Sequence, residues 1–242
     1  MISYLKKNLR YSTLHFLYLL FINPKYVRWL NKETNFHKTF LENSKLIFDI
    51  GANRGDKTHV FYKFSKQVIA YEPEIKMYKI LIDRFINKNI VINSNVVSNK
   101  SGSSNFYSVE NDEAYSSLIQ KSLNHLNPKK KITKIKKTST TLNKEIKKYG
   151  KPDYIKIDCE GAEYLILENL KYKIKLISIE ANLPHFFEET SKIILLMEKK
   201  FKSKFNIRVH EKYQFVFNKN ISSKRCINFI KKKKVVEIFI FS

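Results

Sequence analysis

From residue 45 onward, short apolar runs alternate with longer segments in which apolar residues recur every three or four positions. Leu46-Ile47-Phe48-Asp49-Ile50 is such a run, stopped by Gly51, and has the profile of a buried parallel strand. Thr58 to Phe64 reads as a helix, and Gln67 to Tyr71 as a second strand closed by Glu72-Pro73. Ile75, Met77, Ile80, Leu81 and Phe85 then have helical spacing, and Ile90 to Val97 reads as a third strand. After an interruption the rhythm returns. Thr141 to Lys148 is helical, Tyr154 to Asp158 a strand, Ala162 to Leu170 helical, Leu176 to Glu180 a strand, and Ser191 to Phe201 an amphipathic helix. Tyr213 to Phe217 and Val235 to Phe241 read as an antiparallel pair at the sheet edge. Strand alternating with helix implies an α/β fold, a Rossmann-like, doubly wound and mostly parallel sheet with right-handed crossovers.

The interruption, residues 98–140, is polar and turn-rich. Asn105 to Ser108 and the alternating Ile132 to Ser139 suggest an inserted hairpin, and so long a connection suggests a lid or binding region. Two units are expected: an N-terminal helical extension over 1–40, and a main domain over 41–242 that contains the insertion. In the extension, Lys6, Lys7 and Arg10 precede the apolar run Leu14 to Ile22. That run is too short to span a bilayer and is followed by Asn23-Pro24-Lys25, with no small-residue cleavage pattern. The expected element is a helix ended by Pro24 and packed on the domain. The alternative is a helix that lies on a membrane surface through residues 1–24.

Composition adds less. The content of 43% hydrophobic residues suffices for one core and excludes a disordered chain. Cys159 and Cys226 cannot form a disulfide framework, which suits a reducing cytoplasm, and no Cys/His spacing suggests zinc. A net charge of +24 invites a nucleic-acid reading, yet the cations are 40 Lys against 6 Arg, and arginine is the better bidentate phosphate ligand. Lysine runs such as Lys129 to Lys131 and Lys231 to Lys234 are read as solvated faces, and no specific nucleic-acid partner is expected.

Two segments carry chemistry. The first is Asp49-Ile50-Gly51-Ala52-Asn53-Arg54-Gly55-Asp56-Lys57-Thr58, a strand that enters a glycine turn and then a helix, where open sheets bind ligands. Gly51 and Gly55 permit a tight turn and close approach, and Asn53 tolerates left-handed geometry. The three-glycine dinucleotide fingerprint is absent. Asp49, just before the turn, suits a cationic ammonium or sulfonium better than a pyrophosphate. Glu72 is placed to accept hydrogen bonds from ribose hydroxyls.

The second segment is Asp153 to Glu163, Asp-Tyr-Ile-Lys-Ile-Asp-Cys-Glu-Gly-Ala-Glu. If the strand continues, Lys156, Asp158 and Glu160 share one face, and Cys159 points to the core. Two acids and a lysine near a strand end either pair with one another or face the crevice as binding and proton-transfer groups. Glu163 begins the next helix favourably. Ser116 and Ser117 are hydroxyl candidates in the insertion. His125, His185 and Glu180 are lesser candidates near the crevice, and no oxygen cluster argues for a divalent metal.

In these motifs the chain resembles the FkbM family of class I methyltransferases over about residues 46 to 182. The resemblance rests on Asp49 to Gly55, Tyr71-Glu72-Pro73, Val96-Val97-Ser98 before Gly102, Ser116-Ser117-Leu118, Thr141-Leu142 and Lys156 to Glu163. Asn143 departs from the pattern, since the family commonly has an acid after the Thr-Leu pair. The resemblance implies S-adenosyl-L-methionine as cofactor and a hydroxyl on a sugar, glycan or secondary metabolite as acceptor. The cofactor site would then comprise Asp49, Gly51, Ala52, Asn53, Gly55, Thr58, Glu72, Pro73, Asn95 and Val96, with Asp158, Glu160 and Lys156 catalytic. Nucleic-acid methylation and non-catalytic nucleotide binding are the competing classes.

Overall fold

The computed structural model describes residues 13–124, 126–210 and 212–242. Two helices lead in, α1 (Thr13–Ile22) and α2 (Pro24–Leu41). Pro24 therefore separates two helices and starts the second. Its missing N–H costs nothing in a first turn, and the Asn23 side chain caps that turn by accepting from the amides of Lys25 and Tyr26. No helix among the described residues is long and apolar enough to cross a membrane.

The main sheet has seven strands. In chain order the elements are β1 (Ser44–Ile50), α3 (Asp56–Tyr62), β2 (Ser65–Tyr71), α4 (Ile75–Arg84) and β3 (Ile90–Asn93). After the insertion come α5 (Leu142–Tyr149), β7 (Tyr154–Ile157), α6 (Glu163–Leu167), β8 (Leu176–Asn182), α7 (Phe187–Phe201), β9 (Lys204–Val209), α8 (Ser223–Ile230) and β10 (Val235–Phe241). Strand order is β3-β2-β1-β7-β8-β10-β9, parallel except for β10, which runs antiparallel to both neighbours. The chain moves outward from β1 in one direction through β2 and in the other through β7. The crevice at their carboxyl ends is thus the topological switch point.

Two expected strands differ in the structure, and one helix is new. Ile90 to Val97 is not one strand: the Asn93-Ser94-Asn95 break sends Val96–Ser98 (β4) into a second sheet, ordered β4-β6-β5, with β5 (Gly102–Val109) and β6 (Ile132–Thr141). The inserted hairpin itself forms as expected, with β5 and β6 antiparallel. Tyr213 to Phe217 is not a strand. β9 takes the place beside β10, and the amide of Val216 only bonds across to Ile207. Helix α8 carried no clear signal and was not anticipated.

The sheet is covered on both faces. On one, Phe48, Ile50, Ile155, Ile157, Ile177 and Ile179 pack with Ile166, Ile193, Met197 and Ile230 of the later helices. On the other, Ile47, Val68, Tyr154, Leu176 and Phe239 meet Leu30, Phe36 and Leu41 of α2 and Val60 and Phe61 of α3. A buried charge network also fastens α2. Arg208 Nη1 donates to both oxygens of Glu33 at 2.9 Å, and its Nη2 pairs with Glu237. Lys57 of α3 pairs with the same Glu33, and Ser178 donates to Glu237 at 2.8 Å. Burial pushes the Glu237 carboxyl up, but the Arg208 and Lys57 charges overcome this and hold it down at about 2. Within the same cluster, burial lowers His37 to about 4, so that ring is neutral.

Candidate active site

At the end of β1 the backbone turns sharply over the neighbouring strands. The amides of Gly51 and Ala52 both donate to the Tyr71 carbonyl at 3.0 Å. Gly51 has φ +77°, and a Cβ there would lie 1.9 Å from the Asp158 carbonyl oxygen. No side chain fits. Gly51→Ala combines a left-handed backbone with a backbone clash, each costing about 1–3 kcal/mol. The expected result is a protein destabilised by about 3 kcal/mol, measured by urea melts; an unchanged midpoint would refute the packing described here.

Asn53, at φ +49°, directs its amide to Glu72 Oε2 at 2.7 Å, and Glu72 Oε1 accepts from the Glu74 amide at 2.8 Å. The Asp49 carboxylate is fully buried, accepts from Thr58 Oγ1 at 2.6 Å, and lies 3.7 Å from Lys156 Nζ. Asp49, near the end of β1, and Gly55 and Thr58, at the start of α3, thus lie behind the turn and do not line the crevice.

The acids after β7 are held mostly by main-chain atoms. The Asp158 amide donates to Ile50 and the Cys159 amide to Glu163 Oε1, and Ser117 Oγ donates to the Glu160 carbonyl at 2.9 Å. Glu160 has φ +50°, so the strand alternation stops at Ile157 and does not carry to residue 160 as the sequence suggested. Cys159 is half-buried: it packs against the core as expected and also lines the cavity wall. Lys156 Nζ lies 3.1 Å from Asp158 Oδ2 and donates to the Gly51 carbonyl at 3.1 Å. Burial alone would drive this lysine toward neutrality, yet Asp158 and Asp49 hold it above the ordinary value.

Together these elements bound a cavity of about 250 Å³. Its wall includes Gly51, Asn53, Glu72, Pro73, Asn95 and Val96, the acids Asp158 and Glu160, and Ser116, Ser117 and Leu118 from the insertion. Ala52 and Lys156 face an adjoining hollow that shares Gly51, Asn53 and Asp158 with it. Phe106, Glu113 and Glu180 also line the cavity. Neither Phe106 nor Glu113 stood out in the sequence, because nothing local marks which insertion residues fold back. Glu180 is the lesser candidate that the sequence already places near the crevice, at the end of the Leu176 to Glu180 run. His185 is exposed and does not line the cavity, and His125 lies outside the described residues. Asn143 hydrogen-bonds the main chain at residues 169 and 171, a structural role.

Burial, then the Asp158, Glu163 and Glu180 charges, push Glu160 up to about 8. The Asp158 charge, then burial, push Glu180 up to about 8 as well. Burial raises Glu72 and Glu163 to about 7. The wall thus holds carboxyls ready to take up a proton near neutrality. Among the described residues no group of three or more His, Cys, Asp or Glu side chains is arranged to hold a metal ion.

A sheet of this order, with a glycine turn after its first strand and an acid closing the second, defines a class I S-adenosylmethionine-dependent methyltransferase. A family model described as the methyltransferase FkbM domain matches residues 49–209, and the chain belongs to that family. No curated protein matches the sequence. Similar solved structures include precorrin-6y C5,15-methyltransferase from Geobacter metallireducens, 11% identical, with 87% of this chain and 88% of that one covered and a TM-score of 0.48. The plantazolicin methyltransferase BpumL in complex with SAH is 10% identical, over 100% of this chain and 97% of that one, with a TM-score of 0.46. For the tRNA (m1A58) methyltransferase TrmI from Aquifex aeolicus the values are 10%, 88%, 68% and 0.46.

The residues present fit the cofactor. Each Glu72 oxygen takes one backbone N–H and keeps a lone pair for a ribose hydroxyl. Val96, Val97, Phe106 and Leu118 supply an apolar wall for an adenine ring, and the carboxylates suit a cationic sulfur.

Proposed function

We propose that this chain is an O-methyltransferase acting on a hydroxyl of a small molecule or glycan. The observation that carries the reading is the pair of carboxyls, Glu160 and Glu180, on one cavity wall with their pKa values pushed up to about 8. Bound S-adenosylmethionine supplies a methyl group already activated by a positive sulfur, so the protein has to align the acceptor, take its proton and exclude water. Glu160 and Glu180 act as the shared proton acceptor. Asp158, 3.1 Å from Lys156 Nζ, lines the same cavity and helps to raise the proton affinity of both. Lys156 in turn anchors the cofactor loop through the Gly51 carbonyl. Hydroxyls Ser116 and Ser117 are committed to the main chain of the insertion and the acid turn, which supports a lid that closes over the site.

Cofactor binding is tested by calorimetry. The parent protein is expected to bind S-adenosylmethionine or its demethylated product. Glu72→Ala is expected to weaken binding about ten- to a hundredfold, the range for losing hydrogen bonds to a charged group. Binding of NADH with no affinity for either sulfur compound overturns the reading in favour of an oxidoreductase.

A further inference from the structure

Glu180 lines a second cavity besides the first, with a volume of about 490 Å³ between α2, α3 and the β9–β10 edge. The two cavities differ in charge. The wall of the first carries Glu72, Glu113, Asp158, Glu160 and Glu180 and neither lysine nor arginine. The second is lined by Lys32, Lys57 and Arg208 together with two aromatic side chains, Trp29 and Tyr213.

Most of that charge is internally matched. Arg208 and Lys57 are paired with Glu33, and Arg208 also with Glu237. Both acids have lowered pKa values, because the cations outweigh their burial, so they are ionised. Glu180, the third acid of this wall, faces the first cavity as well. Lys32 has no such match: its ammonium stands 5.4 Å over the Tyr213 ring, on an exposed side chain with no acid partner among the described residues. Register places the polar groups in a row. Glu180 of β8 lies opposite Glu237 of β10, which lies opposite Arg208 of β9, so the three share a sheet face and lead from one cavity to the other.

We infer that the second cavity is the acceptor site and takes a hydroxylated ring bearing a phosphate or carboxylate, with the ring between Trp29 and Tyr213 and the anion at Lys32. This rests on the O-methyltransferase reading and names its substrate class. The hydroxyl to be methylated then faces Glu180 at the junction with the cofactor cavity. The acceptor oxygen forms its bond to the methyl carbon as the carbon–sulfur bond breaks. The electron pair of that bond stays on sulfur, and the hydroxyl proton passes to the Glu160/Glu180 pair.

Trp29 is the chain's single tryptophan, so its fluorescence reports this cavity directly. Glucose 1-phosphate, glucuronate, neutral glucose and inorganic phosphate are titrated at matched ionic strength, with S-adenosylmethionine binding measured by calorimetry on the same preparation. Either anionic sugar is expected to change Trp29 emission saturably, with glucose and phosphate at least about tenfold weaker. Lys32→Glu, on an exposed site that leaves the fold intact, is expected to weaken the anionic sugar by about tenfold, as loss of a charge-assisted contact does. Equal response to glucose or to phosphate, or no saturable response to either anionic sugar, overturns the proposal. If S-adenosylmethionine still binds in that case, only the acceptor assignment falls. If it does not bind either, the functional reading falls with it.

Discussion

Glu160→Gln and Glu180→Gln are each expected to lower the methyl-transfer rate by about a hundredfold to ten-thousandfold, with little change in cofactor affinity. The amide keeps the size of the side chain and removes its ability to accept a proton. Since Glu160 is pushed up to about 8 partly by the Glu180 charge, the two titrate as a pair. The rate of the parent protein is expected to rise roughly fiftyfold from pH 6 to pH 8, the gain in ionised fraction of a group titrating near 8. Stability moves the opposite way. A carboxyl whose folded pKa is raised contributes fully below its unfolded value, and that contribution is lost as pH rises through the folded one. Each Gln variant should therefore melt higher than the parent at pH 9, with little difference at pH 4. A flat rate profile and unchanged turnover in both variants would remove these residues from the mechanism.

Arg208→Met is the stability counterpart. It leaves Glu33 and Glu237 buried beside each other with only Lys57 to offset them. Breaking a buried pair from one side costs about 3–5 kcal/mol. Linkage gives a second signature. Glu237 is held down at about 2, so the stability it contributes is present above the usual carboxylate value and disappears as pH falls toward 2. Urea midpoints of the parent should fall across that window, whereas those of Arg208→Met should change much less. Equal pH dependence in both proteins contradicts the network. Replacing Glu33, Lys57, Arg208 and Glu237 together by apolar residues is expected to recover most of the lost stability, because no charge of the network is then left unmatched.

The same network explains one limit of reading this fold from sequence. Strand β9 is Lys-Phe-Asn-Ile-Arg-Val, and its inward face carries Asn206 and Arg208, which an alternation rule assigns to solvent. Asn206 is satisfied by the main chain at residues 207 and 217, and Arg208 by two acids far away in sequence. Tyr213 to Phe217 looked more like a strand because its aromatic residues are apolar, yet Phe215 is spent on packing against Phe36, Phe40 and Phe239. The central strands were legible because both faces are buried and need no distant partner. The glycine turn was legible for a similar reason: Gly51, Asn53 and Gly55 all adopt positive φ, which their residue types announce. Glu160 adopts it too, and glutamate announces nothing of the kind. The parity argument for residues 156, 158 and 160 failed there, although Asp158 and Glu160 still reach one cavity.

The way that turn is held has an evolutionary consequence. Its shape depends on the Asp158 amide bonded to Ile50, the Glu160 carbonyl bonded to Ser117 and the Gly161 backbone, none of which involves the side chain at 160. A lineage can therefore exchange the residue at that position among types that tolerate a left-handed backbone, and with it the proton chemistry offered to an acceptor, without rebuilding the loop. Residues 113–118 do not share that freedom, because Ser117 holds the turn and Leu118 walls the cofactor cavity, so a substitution there disturbs the donor side as well.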